Sequence, residues 1–255
     1  MHRHNPATGR AQVGTALLLA AGVGSRLAPL TDTLPKCLAS VSEVPILKRL
    51  VRSLDSHGIE RLVIVTGYKA ETMRDHLGES FGGIAVEYIH SPRFETTNNI
   101  YSLWLARKVI DVPFLLVESD LVFQESLLEE MLLPDRIAIS RQLPWMNGTT
   151  VTLDGGGGVS AFCLGALSCA DAAHFKTVNI YSFSRGTWKA VCERLDRRIV
   201  AGQTGDYYES VFAEMVADGS LALEPVFFPA ERWYEIDTLA DLEAAELVFP
   251  ECSSP

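Results

Sequence analysis

The sequence predicts an α/β protein, a sheet of mostly buried strands covered by helices on both faces. Two patterns carry this expectation. Short continuous apolar runs, such as Leu17-Leu18-Leu19 and RLVIVT at 61–66, alternate with segments whose apolar residues recur at helical spacing. The first ninety residues read strand, helix, strand, helix, strand, the order that builds a helix-covered sheet. The chain has 255 residues and is 47% hydrophobic, enough for one sizeable core. Residues 14–250 are expected to form a single domain behind a polar tail, 1–13.

The elements follow in order. The first strand breaks into Gly22-Val23-Gly24-Ser25-Arg26. Glycine has no Cβ, so such a stretch turns tightly and brings backbone N–H groups against a phosphate. Arg26 and Lys36 add positive charge nearby. The loop is neither of the commonest nucleotide loops. Leu27 stands where the dinucleotide fingerprint would continue, and no G-K-[ST] follows. Ile46, Leu47, Leu50, Val51 and Leu54 predict a helix ending near His57-Gly58. A strand at 61–66, a helix at 70–78 and a strand at 84–89 follow. Thr97 or Asn98 caps a helix with the stripe Ile100, Leu103, Trp104 and Ala106.

A fourth apolar strand, 113–117, ends in Glu118-Ser119-Asp120. Carboxylates at the C-terminal edge of a parallel strand face the crevice where open α/β sheets bind ligands. The plain alternative for Asp120 is a cap on a helix expected at 124–132. Strands are predicted at 137–140, 149–153 and 159–162, with Asp154 and four glycines as a hairpin turn. Residues 176–184 form a strand, and helices follow at 186–200 and 207–217, the second capped by Asp206. After a strand at 223–228, Thr238 opens a last helix on Leu239, Leu242, Ala245 and Leu247.

A net charge of −10 argues against a nucleic-acid partner. An acidic protein that handles phosphates concentrates its basic groups locally or recruits a divalent cation, and 32 Asp and Glu offer ligands. No apolar stretch reaches membrane-spanning length, and the polar start lacks a signal-peptide core. Cysteines 37, 163, 169, 192 and 252 are scattered, odd in number and without a C-x-x-C pair. They predict free thiols in the cytoplasm, with Cys37 as a packing residue.

The string G-x-G-S-R-L-x-P-L-T, followed by Lys36 behind Pro35, resembles the signature of the sugar-nucleotide and cytidylyl transferases. These enzymes join a nucleoside triphosphate to a phosphorylated acceptor and release pyrophosphate. The resemblance runs from about residue 15 to 247. TNNIYSLWLAR at 97–107, KTVNIYSFS at 176–184 and W-x-E-I-D-T at 233–238 resemble the choline-phosphate and phosphonoalkyl cytidylyltransferases. The implied fold is a Rossmann-like three-layer α/β/α mixed sheet of the GT-A-like nucleotidyltransferase kind.

The resemblance implies roles for individual residues. Ala20, Ala21, Gly22, Gly24 and Ser25 would line the nucleotide, with Asn98 and Asn99 beside base and ribose. Arg26 and Lys36 would hold its phosphates, and Asp120 and Asp237 would bind Mg²⁺. Lys36, Lys176, Asn179, Tyr207, Glu209 and Trp233 would face the acceptor, with Arg26, Lys36 and Lys176 catalytic. The implied reaction uses CTP and a small phosphonate, 2-aminoethylphosphonate or 2-hydroxyethylphosphonate. Phosphocholine would need an aromatic cage, for which Trp145, Tyr207, Tyr208, Trp233 and Tyr234 are available. A sugar 1-phosphate is a further acceptor, and a nucleotide-sensing module is the non-enzymatic alternative. A sheet of this size also allows a homodimer.

Overall fold

The structure, a computed structural model, describes residues 13–165 and 173–250. The strands in its first half are β1 (Thr15–Ala20), β2 (Ser40–Val41), β3 (Val44–Pro45), β4 (Arg61–Thr66), β5 (Ser80–Phe81), β6 (Ile84–His90) and β7 (Phe114–Glu118). Then come β8 (Leu121–Phe123), β9 (Arg136–Arg141), β10 (Thr150–Leu153), β11 (Val159–Cys163), β12 (Phe175–Phe183), β13 (Glu224–Phe227) and β14 (Trp233–Glu235). The helices are α1 (Ile46–Ser56), α2 (Ala70–Leu77), α3 (Asn99–Ala106), α4 (Arg185–Val200), α5 (Glu209–Ala217) and α6 (Leu239–Val248).

The main sheet runs β11-β10-β12-β7-β1-β4-β6-β5, with β9 paired to β12 and β13 paired to β9. Strands β7, β1, β4 and β6 are parallel, whereas β12 runs antiparallel to β7, so the sheet is mixed as expected. Side chains alternate across it. Leu17, Leu19, Val63, Val65 and Leu116 face one side; Leu18, Ala20, Leu62, Ile64 and Val117 face the other. Leu47, Leu50 and Leu54 of α1 and Met73 of α2 cover the second side. Ile100 of α3, Trp188 and Val191 of α4, and Phe212 of α5 cover the first. Each such fully buried side chain contributes about 1.5–3 kcal/mol. A smaller cluster packs Ala245 of α6 against Leu27, Ile46, Val122 and Ile236, which anchors the loop after β1.

This topology positions the site. The chain leaves β1 toward β4 and β6, then returns to the other side of β1 as β7. The reversal opens a crevice beyond the carboxyl ends of β1 and β7, where residues 21–26 and 118–120 meet.

Several expectations need correction. Residues 124–132 form 3₁₀ turns at Glu125–Leu128 and Glu130–Leu132 instead of a helix. The segment is tied down at its start, where Gln124 N donates to Arg232 O, so it follows the β8–β14 ribbon. Asp206 does not cap α5, because it accepts from Arg198 Nη1 at 3.1 Å. Asn99 Oδ1 instead accepts from Tyr208 N at 2.9 Å, just before the helix. Cys163 is disulfide-bonded, whereas Cys37 and Cys192 are free. Odd parity and the lack of C-x-x-C are blind to a single bridge among unpaired thiols. Cys169, Cys252 and the polar tail through residue 12 lie outside the described residues. Among the described residues no helix is long and apolar enough to cross a membrane.

Candidate active site

A cavity of about 1280 Å³ fills the crevice. Ala20, Ala21, Gly22, Gly24, Ser25 and Arg26 form one wall, so the strand-loop junction lies where the sequence predicts it. Gly24 adopts φ +69°, and a Cβ there would come within 2.9 Å of Lys36 Cβ. Glycine therefore serves both the turn and the passage of the lysine. Thr31 Oγ1 donates to Gly24 O at 3.0 Å, and Tyr68 OH donates to Thr31 O at 2.8 Å, bracing the loop from behind. Gly67 is a second close approach. A Cβ there would meet Ala21 O and Phe94 Cβ at 2.6 Å, so its absence lets Phe94 close against the loop.

The opposite wall is built from two E-x-D segments, Glu118–Asp120 and Glu235–Asp237. Strands β8 and β14 pair antiparallel with Leu121 opposite Glu235, and Ile236 N donates to Asp120 O at 2.9 Å. This ribbon brings together two acids that are far apart in sequence. Lys36 Nζ donates to Asp120 Oδ2 and to Asp237 Oδ1, both at 2.8 Å. Arg26 Nη2 donates to the same Asp237 oxygen at 2.7 Å. Burial alone would lower the Lys36 pKa, but the two carboxylates outweigh it and hold the ammonium above its ordinary range. Thr238 and Asp241 form a capping box for α6, so Asp237 is not needed as the cap. Burial pushes the Cys37 thiol up to about 12, which suits a packing residue and not a nucleophile.

Among the described residues no group of three or more His, Cys, Asp or Glu clusters as a metal site. Mg²⁺ commonly takes only one or two carboxylates and completes its shell with waters and substrate phosphates. Asp120 and Asp237 fit that habit. Asp120 Oδ1 is buried without a hydrogen-bond partner, leaving one oxygen uncommitted.

The far end of the cavity holds Lys176, Asn179, Glu118, Glu209 and Glu235, with Tyr207 exposed at the rim. Lys176 is 2% exposed; its Nζ donates to Thr177 O at 2.7 Å and lies 3.3 Å from Glu235 Oε2. Asn179, at the unusual φ of +60°, donates from Nδ2 to Glu235 Oε1 at 3.2 Å. Asn98 caps α3 by accepting from Asn99 N at 2.8 Å. Asn99 ties three elements together, donating to Glu118 Oε1 at 3.3 Å and accepting from Tyr208 N. Both asparagines line the cavity, but much of their hydrogen-bonding capacity is already used by the protein.

Trp233 is the one expected acceptor residue that the cavity excludes. It is 1% exposed and packs with Leu121, Val226 and Phe228. It lies two positions before Glu235 on β14, one side-chain repeat further from the cavity mouth. The aromatic cage also fails to assemble. Tyr208 and Trp233 are in the core, while Trp145 and Tyr234 stack on each other at 4.7 Å. Glu235 and Phe94 are cavity residues to which the sequence reading gave no role, and Glu118 lies at the crevice edge where that reading put it. The repeated E-x-D spacing was the available signal, since residues two apart on an extended strand share a face.

Residues 15–135 match the Nucleotidyl transferase family. Over 244 residues the chain is 32% identical to the CMP-5'-(3-aminopropyl)phosphonate synthase of Streptomyces rubellomurinus, covering 92% of this chain and 38% of that protein. It is 27% identical over 244 residues to the 2-aminoethylphosphonate cytidylyltransferase of Lancefieldella rimae, covering 92% of each. The chain spans less than half the length of several curated relatives it matches. Among solved structures, the CTP:phosphocholine cytidylyltransferase of Streptococcus pneumoniae superposes with a TM-score of 0.79 at 21% identity, over 93% of this chain and 99% of that one. At this level of identity the likeness is one of fold, and it shows that this chain has an α/β mixed-sheet nucleotidyltransferase fold.

Proposed function

We propose that the chain is a CTP-dependent cytidylyltransferase that joins CMP to a small phosphonate, 2-aminoethylphosphonate or 2-hydroxyethylphosphonate, and releases pyrophosphate. The observation that carries this reading is the meeting of Lys36 with Asp120 and Asp237 beside the glycine loop. Two relatives matched along 92% of the chain bear names for CMP transfer to aminoalkylphosphonates, which supports the phosphonate.

The chemistry follows from charge. Attack on the α-phosphorus brings two polyanions together, and their repulsion must be offset first. Backbone N–H groups of the loop at Gly22 and Gly24 bind the triphosphate, and Arg26 and Lys36 neutralise it. Asp120 and Asp237 would hold Mg²⁺, which would supply charge screening for the phosphates and polarisation of the α-phosphoryl group. A phosphonate oxygen is already anionic near neutral pH, so no general base is required. That oxygen forms the new bond to the α-phosphorus, and the bond to the bridging oxygen of pyrophosphate breaks in line. Positioning by Lys36 and Lys176 supplies much of the acceleration.

The test is a coupled pyrophosphate-release assay across four nucleoside triphosphates with 2-aminoethylphosphonate, 2-hydroxyethylphosphonate, phosphocholine and glucose 1-phosphate. Release with CTP and a phosphonate is expected. Release only with a sugar phosphate, or with no acceptor at all, overturns the reading.

A further inference from the structure

The charges lining the cavity do not balance locally. Arg26 pairs with Asp237, Lys36 with Asp120 and Asp237, and Lys176 with Glu235. Every lysine and arginine among the described residues of the lining is thereby committed to a carboxylate. Among the described residues, Glu118 and Glu209 have no basic partner at salt-bridge distance. Asn99 links the two, donating to Glu118 Oε1 at 3.3 Å and accepting from the N–H of Tyr208, the residue before Glu209, and both acids line the same cavity. Glu209 is 5% exposed, and its Oε2 is buried with no hydrogen-bond partner. A buried carboxylate oxygen left this way costs stability unless something supplies a donor and a positive charge.

We infer that Glu209, with Glu118, forms a subsite for a primary ammonium group, so that the acceptor is an aminoalkylphosphonate. The inference rests on the proposed cytidylyl transfer and narrows its acceptor. A primary ammonium brings three N–H donors and one positive charge, which answers both the orphaned Oε2 and the surplus negative charge. A hydroxyl brings one donor and no charge. A trimethylammonium has no N–H to give and favours an aromatic cage, whereas Phe94 and Tyr207 are the only Phe, Tyr or Trp side chains among the described residues of the lining. Burial pushes the Glu209 carboxyl up to about 7, the direction expected of an acid whose cation arrives with the substrate. Phosphonate and ammonium are then held by different groups. The phosphonate faces Lys36 at the loop, and the amine faces the start of α5.

The experiment compares wild type with Glu209→Gln, which keeps the side-chain shape and removes the charge. With CTP, the wild type is expected to favour 2-aminoethylphosphonate over 2-hydroxyethylphosphonate in kcat/KM by at least about tenfold. In Glu209→Gln that ratio should fall by about tenfold or more, through KM of the amine. An unchanged ratio, or a rise in KM for CTP instead, overturns the subsite. Calorimetric titration of both proteins with each phosphonate separates this outcome from failure of the parent reading. Amine-selective binding lost in Glu209→Gln, without pyrophosphate release, supports the subsite and overturns cytidylyl transfer. Pyrophosphate release with equal use of amine and hydroxyl acceptors does the reverse.

Discussion

Lys36 and Asp120 are joined end to end, Nζ to Oδ2 at 2.8 Å, across the mouth of the crevice between the first loop and β7. The same ammonium reaches Asp237 at 2.8 Å, so one lysine fills the gap between the two acids. This arrangement neutralises carboxylates that would otherwise repel each other in a partly buried space. In the proposed cytidylyl transfer, the ammonium would turn from carboxylate to phosphate when a nucleotide binds.

Replacing Lys36 with Ala should therefore lower turnover by about 10²–10³-fold, the usual loss when one donor to a developing oxyanion is removed. The same change leaves Asp120 and Asp237 facing each other without their shared cation, so the melting temperature should also fall. Steady-state pyrophosphate release and thermal unfolding check both parts. Turnover within a few-fold of wild type would end the catalytic role of this lysine.

Asp237→Asn and Asp120→Asn remove one negative charge each while keeping side-chain volume. The Thr238–Asp241 capping box does not depend on Asp237, so α6 should start normally in Asp237→Asn. Each variant should lose Mg²⁺-dependent turnover and bind Mn²⁺ with CTP at least about tenfold more weakly. Electron paramagnetic resonance of free Mn²⁺ reads the second effect without any need for catalysis. Normal Mn²⁺ binding in both variants would remove the metal from these residues.

Trp233 offers a contrast between packing and binding. Its ring is buried with Leu121, Val226 and Phe228 and does not line the cavity. Trp233→Ala should cost about 3–5 kcal/mol of stability, as large aromatic truncations in cores do. Trp233→Phe should cost less and leave KM for the acceptor near its wild-type value. An acceptor KM that rises in Trp233→Phe, with little change in melting temperature, would return this residue to the site.

These residues also show what the sequence makes legible. Runs such as Leu17–Leu19 and Leu62–Val65 announce buried strands because both faces of a parallel sheet are covered. The loop and its lysine are legible because Gly24, Arg26 and Lys36 combine tight turning with positive charge. Asp120 and Asp237 are individually visible at element ends, yet what joins them is the β8–β14 ribbon. Its strands are only three residues each, too short for any periodicity to register. Trp233 is harder for the same reason. Whether a residue near a strand or helix end faces core or cavity depends on a shift of one or two positions, which only the tertiary arrangement fixes. The pairing of Lys176 with Glu235, and the consequent isolation of Glu209, is a matter of tertiary contacts alone.

Glu209 gives a pH test that needs no substrate. Its carboxyl is raised from 4.5 to about 7, first of all by burial. Below about pH 4.5 both folded and unfolded chains carry the proton, and the group makes no difference to stability. Between about 4.5 and 7 the unfolded chain releases a proton that the folded chain keeps, so stability falls as pH rises. Above about 7 the full cost applies, roughly 3 kcal/mol for a shift of this size. Glutamine does not titrate, so Glu209→Gln should gain on wild type across that window and melt several degrees higher at pH 8, while the two differ little at pH 4.5. Glu118 titrates in the same direction, raised by burial and then by Asp120 and Glu209, so removing the Glu209 charge also eases its ionisation. Thermal unfolding at the two pH values is the measurement, and a pH-independent difference would contradict the burial argument. Added 2-aminoethylphosphonate should stabilise the wild type more than the variant at pH 8, because only the wild type offers the ammonium a charged partner.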